Sequence, residues 1–144
     1  MNKKKIVIIG GSGFLGSHVA DYLSNQKYQV IIADKKKPEE LKKNQTFYKL
    51  DLNKKINFRS LLNSSLAVFN FAAIADIEDA NKKPLETVET NVLSLVKLLK
   101  ECVKFKVKKF ILASTVYVSG NHGGFYKASK LASEVYLREF NKIH

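Results

Sequence analysis

The stretch Ile6-Val7-Ile8-Ile9-Gly10-Gly11-Ser12-Gly13-Phe14-Leu15-Gly16 decides the fold. Four consecutive β-branched residues suit a strand buried on both faces, since neither side of the pleat carries a polar group. From Phe14 to about Asn25, Leu15, Val19, Tyr22 and Leu23 recur at helical spacing, and Gln29 to Ala33 reads as a second buried strand. Strand, glycine turn, helix and strand make a βαβ unit. In such a unit Gly10 allows the tight turn, Gly13 lets the backbone approach a pyrophosphate at the positive end of the helix, and Gly16 lets the helix pack close to the strand. Asp34 ends the second strand, 18 residues after Gly16. A carboxylate there accepts hydrogen bonds from a ribose 2′-hydroxyl and repels a 2′-phosphate. An ordinary glycine-rich turn requires neither these flanks nor this acid, so the pattern points to a dinucleotide, NAD rather than NADP. Lys35 to Lys37 bear on that choice, because a mobile lysine can neutralise a 2′-phosphate. No Lys-Ser/Thr pair follows the glycines, which argues against a mononucleotide P-loop.

Further along, a Lys/Glu-rich stretch around Pro38 precedes a short strand near Thr46 to Lys49, a short helix near Ile56 to Leu62 and an apolar strand from Leu66 to Ala72. Pro84 opens a long helix whose stripe is Leu85, Val88, Val92, Leu95, Leu99 and Cys102. A strand from Phe110 to Ala113, a loop with Gly120, Gly123 and Gly124, and a helix from about Phe125 to Asn141 complete the chain. Strands alternating with helices imply a doubly wound α/β fold with a parallel sheet covered on both faces. One domain accounts for residues 1–144, with no repeat and no linker.

Composition narrows the function classes. With 45% hydrophobic residues among 144, the chain can bury a core and is not a disordered polyelectrolyte. One cysteine excludes an internal disulfide, and Cys102 with His18, His122 and His144 offers no metal-ligand spacing. Lys3 to Lys5 precede an apolar run of only four residues, too short for a signal peptide. No stretch approaches the ~20 apolar residues of a membrane span. A cytoplasmic protein without a membrane partner is expected. The net charge of +12 raises nucleic acid as a partner, but the excess is divided, +8 in residues 1–60 and +4 in residues 61–144. The lysines stand in scattered clusters, and only Arg59 and Arg138 supply the guanidinium fork that phosphate and base readers favour. A solvated lysine-rich surface is the better reading, with a basic nucleic-acid binder a distant third behind the two readings below.

Tyr126 and Lys130 stand four apart, on one helical face. An ammonium beside a phenol favours the phenolate and makes a general base that works near neutral pH. In a chain this rich in lysine the spacing arises readily by chance, so position carries the argument. The pair opens the helix after the fifth apolar strand, with Ser114 and Thr115 at that strand's C-terminal end, where open α/β sheets bind ligands.

Taken in order, these motifs resemble the extended branch of the short-chain dehydrogenase/reductase superfamily, the NAD-dependent epimerase/dehydratase family acting on nucleotide sugars. The likeness runs from Lys5 to about Phe140. GGSGFLG (residues 10–16) looks like that branch's GxxGxxG turn, which would set Gly10, Gly13, Phe14, Leu15 and Gly16 against the cofactor, and Asp34 matches its ribose-binding acid. Asp51-Leu52 matches the pair whose acid contacts adenine, and Asn70 to Ala73 resembles the segment in which Ala72 and Ala73 line the cofactor. Pro84 to Val92 resembles the segment whose Asn91 buttresses the site. In Ala113 to Gly120 the catalytic hydroxyl aligns with Thr115, and YKASK supplies the Tyr126 base and Lys130. By the residues alone, Asp51 equally suits a turn cap, Asn91 a surface helix position, and Ala72 and Ala73 plain core. Tyr117 and Tyr136 suit packing, and His18 the outer face of the first helix.

The resemblance implies a Rossmann fold with about five strands in the order 3-2-1-4-5, NAD as cofactor, a nucleotide-sugar substrate and a homodimer formed through the helices 84–104 and 125–141. Val116 and Tyr117 follow Thr115 where 4,6-dehydratases of the family carry Asp-Glu, which argues for an epimerase or reductase. Only 11 positions separate Thr115 from Tyr126, a trimmed loop. Family members continue beyond the Tyr/Lys helix into a C-terminal substrate subdomain that these 144 residues lack. The alternative reading is therefore a cofactor-binding module without turnover.

Overall fold

A β-branched strand that must return to the same end of the sheet through a helix pairs in parallel with its successor, and this rule organises the whole chain. The computed structural model describes residues 4–144; Lys3, part of the basic run ahead of the first strand, lies outside them. The strands are β1 (Lys5–Ile9), β2 (Gln29–Asp34), β3 (Gln45–Lys49), β4 (Ser65–Asn70) and β5 (Lys109–Leu112). They form one parallel sheet in the order β3-β2-β1-β4-β5, as expected. Alternate residues of β1 serve opposite layers. Val7 and Ile9 join Leu61, Leu62, Val68 and Leu98 on one face, while Ile6 and Ile8 join Ala20, Val30 and Ile32 on the other. A run without polar interruption is what burial on both faces demands.

The helices are α1 (Phe14–Asn25), α2 (Phe58–Leu62), α3 (Ile77–Lys82), α4 (Pro84–Val88), α5 (Ser94–Lys104) and α6 (Gly124–Ile143). Several depart from the expected pattern. The buried residues of α1 are Gly16, Ala20 and Ser24, whereas Leu15 and Tyr22 are 59% and 65% exposed. Only small side chains fit where the helix crosses closest to the strand, while Val19 and Leu23 of the expected stripe pack half-buried beside them. Between α4 and α5, Glu89–Leu93 forms a turn of π-helix. The inserted residue shifts the helical phase. Leu95, Leu99 and Cys102 of the expected stripe are buried, Val92 is half-buried, and Leu85 and Val88 face outward; Thr87 and Asn91 are buried in their place.

Two elements escaped the sequence reading. Helix α3 lacks an apolar period, although Asp76 caps it by accepting a hydrogen bond from Asp79 N at 2.9 Å. Val116–Ser119 form a 3₁₀ turn. Strand β4 ends at Asn70, short of the expected Ala72, because the Asn70 side chain accepts from Ala72 N at 3.2 Å and turns the chain out of the sheet. Among the described residues β5 pairs with β4 alone, and Ile111 on it is exposed.

Gly16 is the tightest point of the βαβ turn. A Cβ there would stand 2.3 Å from Gly10 O and 2.8 Å from Gly11 Cα, both rigid backbone. Gly16→Ala is expected to destabilise the fold by about 1–3 kcal/mol, the usual cost of overpacking. Gly120→Ala, where a Cβ meets nothing within 4 Å, should stay within about 0.5 kcal/mol of the parent. Denaturant unfolding of both variants checks this, and equal midpoints would contradict the close approach.

Candidate functional site

At the C-terminal edge of the sheet a cleft of about 470 Å³ opens. Gly10, Gly13, Asp34, Asp51, Leu52, Ala72 and Ala73 line it together. The sequence had marked all seven, from four separate segments, because parallel strands deliver their ends to one rim. Gly10 sits at φ 74°, and a Cβ on it would fall 2.7 Å from Ala72 N. Gly13 differs: a Cβ there meets only Gly10 O, at 3.3 Å, and otherwise projects into open space beside the first turn of α1. That turn has no side-chain cap and no acidic residue. An uncapped helix N-terminus beside a glycine suits the diphosphate of a dinucleotide, so the residues present fit such a cofactor.

Both oxygens of Asp34 accept backbone hydrogen bonds, Oδ2 from Ser12 N at 3.0 Å and Oδ1 from Lys36 N at 3.1 Å. The carboxylate thereby ties the glycine turn to the loop after β2. Asp51 Oδ1 accepts from Asn53 N at 3.0 Å and lies 3.5 Å from Lys35 Nζ. The Asn53 amide first, and Lys35 after it, hold the Asp51 carboxyl below the usual carboxylate range against the opposing effect of burial. Lys83, Glu86 and Thr90 also line the cleft. Sequence reasoning missed them, and no local signal marks them, since they reach the rim only through the packing of α4. Phe14 and Leu15 point their side chains into solvent, so only their backbone can face a ligand, and Gly16 is buried beneath Gly10.

Thr115, Tyr126 and Lys130 lie outside the lining of this cleft, at the end of β5 and the start of α6. Lys130 is 4% exposed, donates from Nζ to Ala113 O at 2.9 Å and stands 5.8 Å from the centre of the Tyr126 ring. Burial lowers its pKa from the ordinary lysine value. Tyr126 is itself buried. Thr115 caps the 3₁₀ turn, its hydroxyl accepting from Tyr117 N at 3.4 Å.

Asn91 joins the two groups. Its Oδ1 accepts from Ile74 N at 2.8 Å, and its Nδ2 donates to Ile74 O at 3.1 Å and to Ser129 Oγ at 2.9 Å. Ser129 Oγ donates to Tyr126 O at 2.7 Å. Ile74 lines the cleft, and Tyr126 begins the α6 cluster. Asn91 is buried rather than a surface position, and the π turn sets it between them. His18 is exposed and stacks edge-to-face on Phe14 at 4.9 Å. Among the described residues no group of three His, Cys, Asp or Glu could hold a metal ion, and no helix is long and apolar enough to cross a membrane.

Comparison with known proteins finds relatives in sequence and in fold. The UDP-N-acetyl-alpha-D-glucosaminuronate decarboxylase of Bacillus cytotoxicus is 36% identical over 124 residues, covering 82% of this chain and 38% of its own. Among solved structures, the Thermotoga maritima UDP-glucose 4-epimerase with UDP-glucose is 30% identical with a TM-score of 0.86, over 96% of this chain and 51% of that one. MoeE5 in complex with UDP-glucose and NAD is 26% identical with a TM-score of 0.86, over 94% and 48%. The chain thus spans about half the length, or less, of these proteins. The family model described as NAD dependent epimerase/dehydratase matches residues 6–144. With that match over nearly its whole length, the chain belongs to the NAD dependent epimerase/dehydratase family.

Proposed function

We propose that residues 1–144 form the cofactor-binding domain of an NAD-dependent nucleotide-sugar epimerase or reductase and carry its proton-transfer residues. The observation that carries this reading is the cleft itself. Carboxylates at the ends of two neighbouring strands, Asp34 and Asp51, face a glycine turn and an uncapped helix N-terminus across one rim. The first turn of α1, with Gly10 and Gly13, would take the diphosphate, Asp34 the adenosine ribose, and Asp51 and Leu52 the adenine. Ala72 and Ala73 would line the nicotinamide side, kept in place by the Asn91 clamp on Ile74. NAD, when bound there, supplies reversible hydride transfer at a sugar carbon.

The chain's own residues would handle the proton. Tyr126 takes it from a sugar hydroxyl, Thr115 hydrogen-bonds the same oxygen, and Lys130 holds the nicotinamide ribose from a buried position on the same helical face as Tyr126. The Val116-Tyr117 sequence after Thr115 favours epimerisation or reduction over dehydration. The same reading puts the protein in the cytoplasm. It also pairs two copies through the helices 84–104 and 125–141, whose outward Leu85, Leu93, Val135 and Tyr136 are exposed. A second reading, cofactor binding without turnover, draws on the cleft lining, which runs from Ile9 to Thr90 and includes nothing from β5 or α6.

Three measurements test these statements. With UDP- or dTDP-sugars as substrates, Tyr126→Phe should lower kcat by at least about 10²-fold while NAD affinity holds, and Lys130→Ala should reduce both. Near-normal turnover of Tyr126→Phe would remove the mechanism, and NAD binding with no turnover by the parent would favour the second reading. Calorimetric titration should find NAD bound more tightly than NADP, a preference that Asp34→Asn narrows by about tenfold through loss of one charge; equal affinities in the parent would overturn it. Light scattering over a dilution series should report a dimer, and a monomer throughout would contradict the helix pairing.

A further inference from the structure

Three lysines follow Asp34 in succession, and each could in principle neutralise a phosphate on the adenosine 2′-oxygen. The fold sends them in different directions. Lys35 lines the cofactor cleft, whereas Lys36 and Lys37 line a separate depression shared with Ser12, Asp21 and Glu39. Lys36 is also anchored by its backbone, donating to Asp34 Oδ1 and accepting the Ser12 hydroxyl at 2.6 Å. The cleft's other cation, Lys83, belongs to the wall formed with Glu86 and Thr90. Lys35 is thus the cation adjoining Asp34 inside the cleft, and its ammonium is turned toward Asp51 at 3.5 Å.

We infer that the Asp51–Lys35 ion pair is a cofactor selector: by drawing the Lys35 ammonium to itself, Asp51 withholds from a 2′-phosphate the cation that adjoins Asp34 in the cleft, and so favours NAD over NADP. This rests on the dinucleotide reading of the cleft. Asp34 repels a 2′-phosphate directly, while Asp51 acts through Lys35 and is a specificity residue at one remove. Asp51 carries its charge through the neutral range as any aspartate does, and its carboxylate is anchored by the Asn53 amide at 3.0 Å. The lysine side chain is 60% exposed and that of Asp51 27%. An ion pair so open to water is weak, so loss of the Asp51 charge alone is enough to free Lys35 for a phosphate.

The test is the ratio Kd(NADP)/Kd(NAD), in which any contact Asp51 makes with adenine cancels because both dinucleotides carry adenine. Calorimetric titration of the 144-residue chain should find this ratio lowered about fivefold by Asp51→Asn, the factor of one exposed ion pair. Asparagine retains an oxygen for the Asn53 amide, and Asp51→Ser serves as a second variant with the same expectation. Lys35→Ala alone should leave the ratio near the parent's, because the lysine is already withheld. Asp51→Asn/Lys35→Ala should restore the parent ratio. An unchanged ratio in Asp51→Asn, or a lowered ratio that persists in the double variant, would overturn the inference while leaving NAD binding intact. A large rise in Lys35→Ala alone would do so too, by showing that Lys35 already serves the phosphate. Failure of the parent to bind either dinucleotide would instead remove the cleft reading and this inference with it.

Discussion

Three backbone segments meet at Gly10 with no room for a side chain between them. A Cβ at Gly10 would lie 2.7 Å from Ala72 N, and one at Gly16 would lie 2.3 Å from Gly10 O, so the exits of β1 and β4 and the first turn of α1 touch through bare backbone. This close approach sets the shape of the rim. It brings the N-terminus of α1 against the sheet, and it lets Gly10 N bond to Ala33 O at 2.8 Å beside Asp34. A larger residue at either point would push the helix away and open the cleft. The arrangement is a steric constraint first and an electrostatic one second, because the helix end can act on an anion only from the position the glycines allow.

A polar seam performs the corresponding task for the second cluster. The π turn places Asn91 where it grips both backbone groups of Ile74 and reaches Ser129, and Ser133 Oγ donates to Asn91 O at 2.9 Å. All of these side chains are buried and hydrogen-bonded, so the seam fixes α6 against the helical stretch 84–104 in one register. Lys130 gains its environment from that docking. On the buried face of α6, with Ala113 O as acceptor, its ammonium is held in place.

Much of this was legible in the residues, and the exceptions have physical causes. The βαβ unit was readable because a β-branched run, a glycine turn and an acid at the next strand end are local features with local reasons. The strand order came with the family resemblance, because right-handed winding alone leaves more than one doubly wound order open. Tyr126 and Lys130 share a helical face because the spacing of four requires it. By contrast, the stripe of α1 was legible only in part: Val19 and Leu23 pack on the core, whereas Leu15 and Tyr22 face outward and small residues take the closest approach. The stripe from Leu85 failed where the π turn changed the period, and nothing in Glu89–Leu93 announces such a turn. Lys83, Glu86 and Thr90 reach the cleft through tertiary packing alone, and Lys35 parts from Lys36 in the loop after β2, where the Lys36 backbone is held by Asp34 and Ser12.

The central claim is that a dinucleotide lies across the glycine turn against the N-terminus of α1. Gly13 isolates that claim, because its φ of −76° suits any residue, it lines the cleft, and a Cβ there meets only Gly10 O, at 3.3 Å. An NADH fluorescence titration of the parent and of Gly13→Val, each with its thermal midpoint, is the most direct measurement. The account predicts saturable, enhanced emission with the parent and none with Gly13→Val while that variant still unfolds cooperatively; no binding by the parent, or equal binding by a folded Gly13→Val, would contradict it.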